Sequence, residues 1–535
     1  MSFDTLILNG TIVDGTNTTR YKSDLGISDG RITAIGSLGH AEAARRIDAT
    51  GHVISPGFID MHAHSDVTLL DDPGGESKAH QGVTTEVVGN CGYSPFPAGD
   101  AGPKALQDNL GKTLIGRVPW TWNTLDDWAQ NMDSNGISIN VAPQLGNAAL
   151  QVASGAIEDR RATADEMGAM KRLAAEAIEM GAFSLSTGLS LAPSGYANTD
   201  EVVELCKAVS GYDGVFYVTH ARVGNGNHLS AIEEAIEIGL RADIPVQFSH
   251  MAITDRRVFG EGPAMLDLIV EARKQGLDIT YDVYPYTAAG ASFSQLVPLW
   301  AQTGTVDDFV ARLHDPETRV RVRQEVAAGL GGLEPLWDTW HVAYTNTEEN
   351  RPMIGKSIEE IAQIRNIEPA EAVLQLLEEE GGSVPTRVHN RDEGDVRYFL
   401  SHDLAMIGSD GRAVSPTGPY ANALPHPRFY GTYPRILGRY VREEPALLTL
   451  ENAVHKMTGA PAVRLGMKER GLVKEGLVAD LVIFDPDTVI DNATWEDPHQ
   501  YPTGIPYVFV SGVAVVDGNK HTGAMPGKVL RRGAC

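Results

Sequence analysis

The middle of this 535-residue chain alternates between two periodicities. Short apolar runs with strand character are followed by longer runs of helical period that end at glycine. Residues 137–142 read as a strand, and 163–180 as a helix opened by Ala164-Asp165-Glu166 and closed by Gly181. Strands over 182–186, 215–220, 245–250 and 278–283 then alternate with helices over 200–210, 229–240 and 263–275. Strands separated by helices pair in parallel, because only a crossover returns the chain in the same direction. The runs ending at His64, over 84–88 and over 404–408 bring the count to about eight. That count predicts an α/β fold, a (β/α)8 TIM-like barrel.

Barrel enzymes carry their sites at the C-terminal ends of the strands. In this chain histidine or aspartate stands there repeatedly. Ile54, Phe58 and Ile59 lead to His62 and His64, which lie two apart and so share one face of an extended segment. His220 and His250 close two further apolar runs, and Asp410 follows the run ending Met406-Ile407-Gly408. One such histidine is ordinary; four on three strands are the ligand chemistry of a divalent metal. Cys91, just past the run over 84–88, belongs with them, since a thiolate holds zinc well and bridges two ions. Cys206, inside a helix, and Cys535, at the terminus, read as ordinary buried or terminal residues.

Both ends of the chain are β-rich. Residues 5–15 read as a hairpin turning at Asn9-Gly10, and Asp29-Gly30 turns a second strand pair. The strands over 477–485 and 508–518 are the partners this small region needs to acquire a core. The expected organisation is a β-sandwich made of residues 1–56 with 467–535, into which a barrel over 57–466 is inserted. Residues at about 300–400, with helical segments and the pair Trp337 and Trp340, read as an insertion between the last two barrel strands. Its reading is a lid or an oligomer contact.

The bulk properties exclude several classes. With 42% hydrophobic and 21% charged residues the chain is globular material, and no apolar run spans a bilayer. A formal net charge of −26 argues against nucleic acid or an anionic membrane as partner. Three cysteines imply no disulfide framework, and the N-terminus has no signal-peptide pattern. The expectation is a cytoplasmic protein acting on a small molecule, with homo-oligomerisation open.

Taken together, these residues resemble the amidohydrolase superfamily, and within it the N-acyl-D-amino-acid deacylases, or D-aminoacylases. The resemblance covers nearly the whole chain. It is carried by Pro56-Gly-Phe-Ile-Asp-Met-His-Ala-His-Ser-Asp66, Gly82-Val-Thr-Thr-Glu-Val-Val-Gly-Asn-Cys-Gly92, Thr219-His-Ala-Arg222, Phe248-Ser-His250, Tyr281-Asp-Val-Tyr-Pro-Tyr286, Ile407-Gly-Ser-Asp-Gly411 and His426-Pro-Arg-Phe-Tyr430. It implies a tight zinc site of Cys91, His220 and His250. It implies a second, weaker zinc site of His62 and His64 that shares Cys91. Asp410 is then the general base and acid, and Tyr284 and Arg428 face the substrate, the guanidinium fork of Arg428 suiting a carboxylate.

The chain departs from that pattern at two positions. Ala252 stands where relatives commonly have a lysine, and Leu191 where they often have a tyrosine. These apolar replacements point to a less charged or bulkier amide, a cyclic one included, while Arg428 points to a carboxylate. The run over 182–188 has no lysine, which separates the chain from the hydantoinase and dihydropyrimidinase branch, whose metals are bridged by a carboxylated lysine. The expected reaction is hydrolysis of a C–N amide bond by metal-activated water in an N-acyl-D-amino acid or related N-acyl compound. A cyclic amide or imide hydrolase using the same residues is the alternative, and a catalytically silent scaffold the remote one.

Overall fold

A computed structural model describes residues 2–111, 113–223, 226–443 and 445–535. Its centre is two runs of parallel strands. Phe58–Asp60, Val83–Val88 and Asn140–Pro143 pair in that order. Leu145–Gly146, Ser184–Gly188, Phe216–His220, Val246–Phe248, Ile279–Val283 and Ala405–Ile407 form the second run. The runs meet at both margins. Met61 N donates to Ile407 O at 3.2 Å, and Phe183 N donates to Pro143 O at 2.9 Å. Val83–Val88 and Ser184–Gly188 are buried at every residue. That is the burial of parallel strands covered on both faces, and it explains why neither run shows the alternation of apolar and polar residues that a one-sided sheet would have.

The helices between the strands are set by local chemistry. Ala164–Glu179 starts from a capping box in which Thr163 and Glu166 satisfy each other's backbone N–H groups. Its buried residues Met167, Met170, Ala174, Ala177 and Ile178 fall on one face, which packs toward the strands. Asn198 and Glu201 cap Thr199–Val209 in the same way. Each helix turns the chain back so that successive strands end on the same side, and the strand ends are therefore neighbours.

The two termini build one nine-stranded sheet. Its order places Ser2–Ile12 between Tyr21–Ser28 and Val53–Pro56, and Val53–Pro56 beside Leu481–Phe484. Ile7, Leu25, Ile54, Leu481, Ile483 and Phe509 share its core, so residues from both ends bury one another.

One expectation fails here. Asn9-Gly10 is not a hairpin turn: Ser2–Ile12 runs through it as one strand. Asn9 takes a left-handed φ of 62°, and the register with Tyr21–Ser28 shifts between Ile7 and Gly10. The strand is paired on both sides, with Glu42–Asp48 and Val53–Pro56 along its other edge. That ladder outweighs the local preference of an Asn-Gly pair, which is absorbed as a bulge. Asp29-Gly30 does turn the next pair, with φ of 51° and 73°.

Between Ile279–Val283 and Ala405–Ile407 lies a separate layer. Ala289–Ser292, Pro385–Val388 and Trp340–Val342 form a three-stranded antiparallel sheet. Val306–His314, Pro316–Ala328, Ile358–Arg365 and Pro369–Glu379 are its helices. They bury Phe309, Leu313, Val322, Ile361 and Leu376 in a cluster of their own, with Trp337 and Trp340 packed against it.

Candidate metal centre and catalytic site

The strand ends bring the expected residues to one place. Cys91 Sγ lies 3.3 Å from His62 Nε2 and 3.5 Å from His250 Nε2. His220 Nδ1 lies 2.9 Å from His250 Nε2. His64 Nε2 is 3.1 Å from Asp410 Oδ1, and His62 Nε2 is 3.8 Å from the same oxygen. Donors held tetrahedrally around one zinc ion stand roughly 3.3–3.8 Å apart, given bonds of about 2.0–2.3 Å. The Cys91 separations match that edge. His62, Cys91 and His250 form one potential ligand group, and His62, His64 and Asp410 form another. Cysteine sulfur with imidazole nitrogen is a zinc donor set, so these residues fit the ion.

The local backbone is bent to make this convergence. Cys91, His250 and Asp410 all have positive φ, at 55°, 35° and 51°. Non-glycine residues pay of order 1–3 kcal/mol for such a conformation and hold it only where the surroundings over-determine it. For Cys91 the surroundings include Gly188, where an added Cβ would stand 2.1 Å from the Cys91 carbonyl oxygen. Asp410 N donates to His62 O at 2.7 Å, which ties the last strand's loop to the first. Ser409 N donates to Asp60 Oδ1 at 2.7 Å, and Asp60 Oδ2 accepts from the fully buried Lys78 at 2.6 Å. Lys78 also pairs with Glu86 at 3.0 Å, so one ammonium holds carboxylates from two strands beneath the site.

Sequence reasoning missed a second layer of residues. Asp282, fully buried, lies 3.1 Å from His62 Nδ1 and accepts from His250 N at 2.8 Å. It turns His62 so that Nε2 faces Cys91. Ser190 Oγ sits 2.7 Å from His220 Nε2, leaving Nδ1 toward the cluster. A carboxylate inside the apolar run over 278–283 was the available signal for Asp282. Ser190 carried none.

Burial and charge set the protonation states. Burial brings His64 and His220 down to about 4, so both imidazoles are neutral and able to act as ligands. Burial also pulls His62 down, but the charges of Cys91 and Asp282 outweigh it and hold its pKa well above the usual value, so a metal ion that takes His62 as a ligand displaces its proton. Burial pushes the Cys91 thiol up, with His62 opposing. For Asp410, burial alone would raise the pKa; Arg428, His64 and His62 outweigh it and keep the carboxyl ionised, well below the usual range.

The two residues expected to face the substrate, Tyr284 and Arg428, stand beside Asp410 and each other. Arg428 opens the helix Arg428–Arg435 and its Nη2 lies 3.0 Å from Asp410 Oδ2. The Arg428 guanidinium stands 4.6 Å from the ring centre of Tyr284. Cys91, His64, His220, His250, Asp410, Tyr284 and Arg428 all line one cavity of about 860 Å³, within the range of small-molecule sites. Ala252 and Leu191 line it too, as does the separate layer through Leu296, Phe309 and Tyr344.

A parallel α/β core with an imidazole–thiol cluster and a carboxylate at its strand ends defines a metal-dependent hydrolase class, and the chain belongs to the amidohydrolase family, whose model matches residues 45–516. Its branch is that of the D-aminoacylases. It is 36% identical to the D-aminoacylase of Alcaligenes xylosoxydans xylosoxydans over 532 residues, 99% of this chain and 98% of the relative. The N-acyl-D-glutamate deacylase of Bordetella bronchiseptica, solved with zinc and a phosphonate mimic of the tetrahedral intermediate, superposes with a TM-score of 0.83 at 32% identity. That match covers 99% of this chain and 100% of the other. A D-aminoacylase with a binuclear metal centre superposes with a TM-score of 0.82 at 34% identity, over 99% and 100% of the two chains. The α/β fold is that of these enzymes.

Proposed function

We propose that the protein hydrolyses the amide bond of N-acyl-D-amino acids, releasing the carboxylic acid and the free D-amino acid. It is an amidohydrolase, acting on C–N bonds other than peptide bonds. The observation that carries the reading is the meeting of Cys91 with His62 and His250, at 3.3 and 3.5 Å, beside an ionised Asp410.

Cys91, His220 and His250 hold the tight zinc in this reading, and His62 and His64 hold a second, weaker one that shares Cys91. The binuclear D-aminoacylase supports that inequality, since there one metal activates and the second attenuates. Zinc, when bound, supplies Lewis acidity, polarising the acyl carbonyl and making water more acidic. The chain's own groups do the rest. Asp410, kept ionised by Arg428 and the imidazoles, accepts a proton from water as its oxygen attacks the acyl carbon. The same carboxyl, a strong acid because of those neighbours, delivers the proton to the departing nitrogen as the C–N bond breaks. Arg428 and Tyr284 position the substrate beside it.

Asp282 orients ligands without touching substrate. Asp282→Asn is expected to weaken zinc binding by about 10–100-fold while far-UV circular dichroism stays unchanged. Competition with a chelator of known affinity measures it.

The parallel strands, with Asn140–Pro143 and Leu145–Gly146 counted as one, are read as a (β/α)8 barrel over 57–466, with the margin hydrogen bonds at Met61 and Phe183 in support. The terminal sheet is read as a sandwich domain of residues 1–56 with 467–535, and the layer at about 300–400 as an insertion over the site. Among the described residues no helix is long and apolar enough to cross a membrane. The proposed setting is the cytoplasm, a small-molecule substrate the proposed partner. Zinc-loaded protein tested on paired N-acyl-D- and N-acyl-L-amino acids and on cyclic imides checks the activity. Turnover of the D series is expected, with little of the L series. Turnover of the imides alone would move the assignment to the cyclic-amide reading.

A further inference from the structure

The loop that carries Asp410 is fixed from beneath by one hydroxyl. Ser409 is fully buried, and its Oγ donates to Asp60 Oδ2 at 2.6 Å. The same oxygen accepts from Lys78 Nζ at 2.5 Å and from Gly411 N at 3.0 Å. One donor and two acceptor positions are all that a hydroxyl has, so Ser409 Oγ is saturated. The three consecutive N–H groups of the loop are engaged as well. Ser409 N donates to Asp60 Oδ1 at 2.7 Å, Asp410 N to His62 O at 2.7 Å, and Gly411 N to Ser409 Oγ. Asp60 also accepts from His62 N at 3.3 Å, and His64 N donates to Gly411 O at 2.8 Å. One buried knot therefore joins both histidines of the first strand to the aspartate after the last. Lys78, Asp60 and Ser409 are not among the described residues that line the cavity, so they act on the chemistry only through what they hold.

We propose that Ser409, held by Lys78 and Asp60, is the positioning residue that aims the Asp410 carboxylate at the attacking water. The proposal rests on the reading of Asp410 as general base above. Asp410 has a left-handed φ of 51°, a conformation that a non-glycine residue leaves unless its neighbours prevent it. The bond from Gly411 N to the Ser409 hydroxyl closes the turn around Asp410, and Lys78 and Asp60 keep that hydroxyl from rotating away. In front, Arg428 and His64 hold the carboxylate at 3.0 and 3.1 Å, from side chains that line the cavity. The backbone direction of Asp410 comes from behind. Burying an ammonium with carboxylates returns little net stability, because desolvation offsets the attraction. What the cluster supplies is direction, through short bonds to fixed atoms. Proton transfer needs that direction, since a displacement of about 1 Å costs on the order of 100-fold in rate.

The test uses zinc-loaded full-length protein and an N-acetyl-D-amino acid. S409A removes one hydroxyl and keeps the Lys78 pairs with Asp60 and Glu86. Its kcat is expected to fall by about 30–100-fold, with KM within about threefold and zinc content at the wild-type value. The effect should disappear once the carboxylate is gone: D410N/S409A is expected within about twofold of D410N, because groups that act as one unit do not add. S409C keeps the volume with a weaker donor and acceptor, should fall by about fivefold, and carries the same comparison if S409A does not fold. Loss of zinc, a rise in KM with kcat unchanged, or the same fall in kcat in the D410N background overturns the proposal. Crystal structures of zinc-loaded wild type and S409A separate this proposal from the general-base reading. If D410N turns over at the wild-type rate, the general-base reading falls. A carboxylate displaced by about 1 Å or more in S409A then still supports the positioning, and an unmoved Asp410 overturns it.

Discussion

Replacing Asp410 by asparagine is expected to lower kcat by about 1,000-fold while zinc content and secondary structure stay at wild-type values. Asparagine keeps the shape and can still accept hydrogen bonds from Arg428 and His64, which now hold the carboxylate at 3.0 and 3.1 Å. It cannot accept a proton from water or return one to nitrogen. The loss should therefore fall on kcat with little change in KM. A matched fall in zinc content would instead make Asp410 chiefly a ligand, which its place beside His62 and His64 makes the natural competing role. Turnover at the wild-type rate would remove it from the reaction.

Cys91→Ala should have the largest effect on the metal. Sγ is the group that His62 and His250 both face, so its removal takes one donor from each proposed site. Zinc retained after gel filtration is expected to fall to about a tenth or less, and activity with it, since a thiolate contributes both charge and softness. Stability reports the same loss independently of catalysis. At free zinc 100 times the dissociation constant, wild type gains about 2.7 kcal/mol over the chelated protein, whereas C91A gains almost nothing. Cys206→Ala is the control: that thiol is equally buried but sits in the helix Thr199–Val209, away from the cluster, and its removal should leave zinc content unchanged.

The core strands and the histidines at their ends were legible because a parallel strand covered on both faces leaves an apolar run, and a polar residue that ends such a run stands out. Cys91 was legible only beside those histidines, since a lone cysteine after such a run reads as a small buried residue. Asp282 was not, although it lies inside one of those runs. Its function is to hold His62 and His250 from below, and a single carboxylate in an apolar segment looks like an interruption until the partner strands are in place. Lys78, whose ammonium joins Asp60 and Glu86, is invisible for the same reason: its meaning lies wholly in long-range contacts. Asn9-Gly10 shows the reverse error, a strong local turn signal overruled by pairing along both edges of the strand. The stretch at about 300–400 fitted the strand–helix alternation least well. There the chain folds into its own antiparallel layer, and no periodicity pointed to the cavity.

In the proposed site one sulfur and several imidazoles from separate strands surround a common ion. Zinc-edge X-ray absorption on the zinc-loaded protein tests it most directly. A sulfur scatterer at about 2.3 Å with nitrogen at about 2.0–2.1 Å is expected in wild type, the sulfur shell vanishing in C91A. A wild-type first shell of nitrogen and oxygen alone would contradict the account.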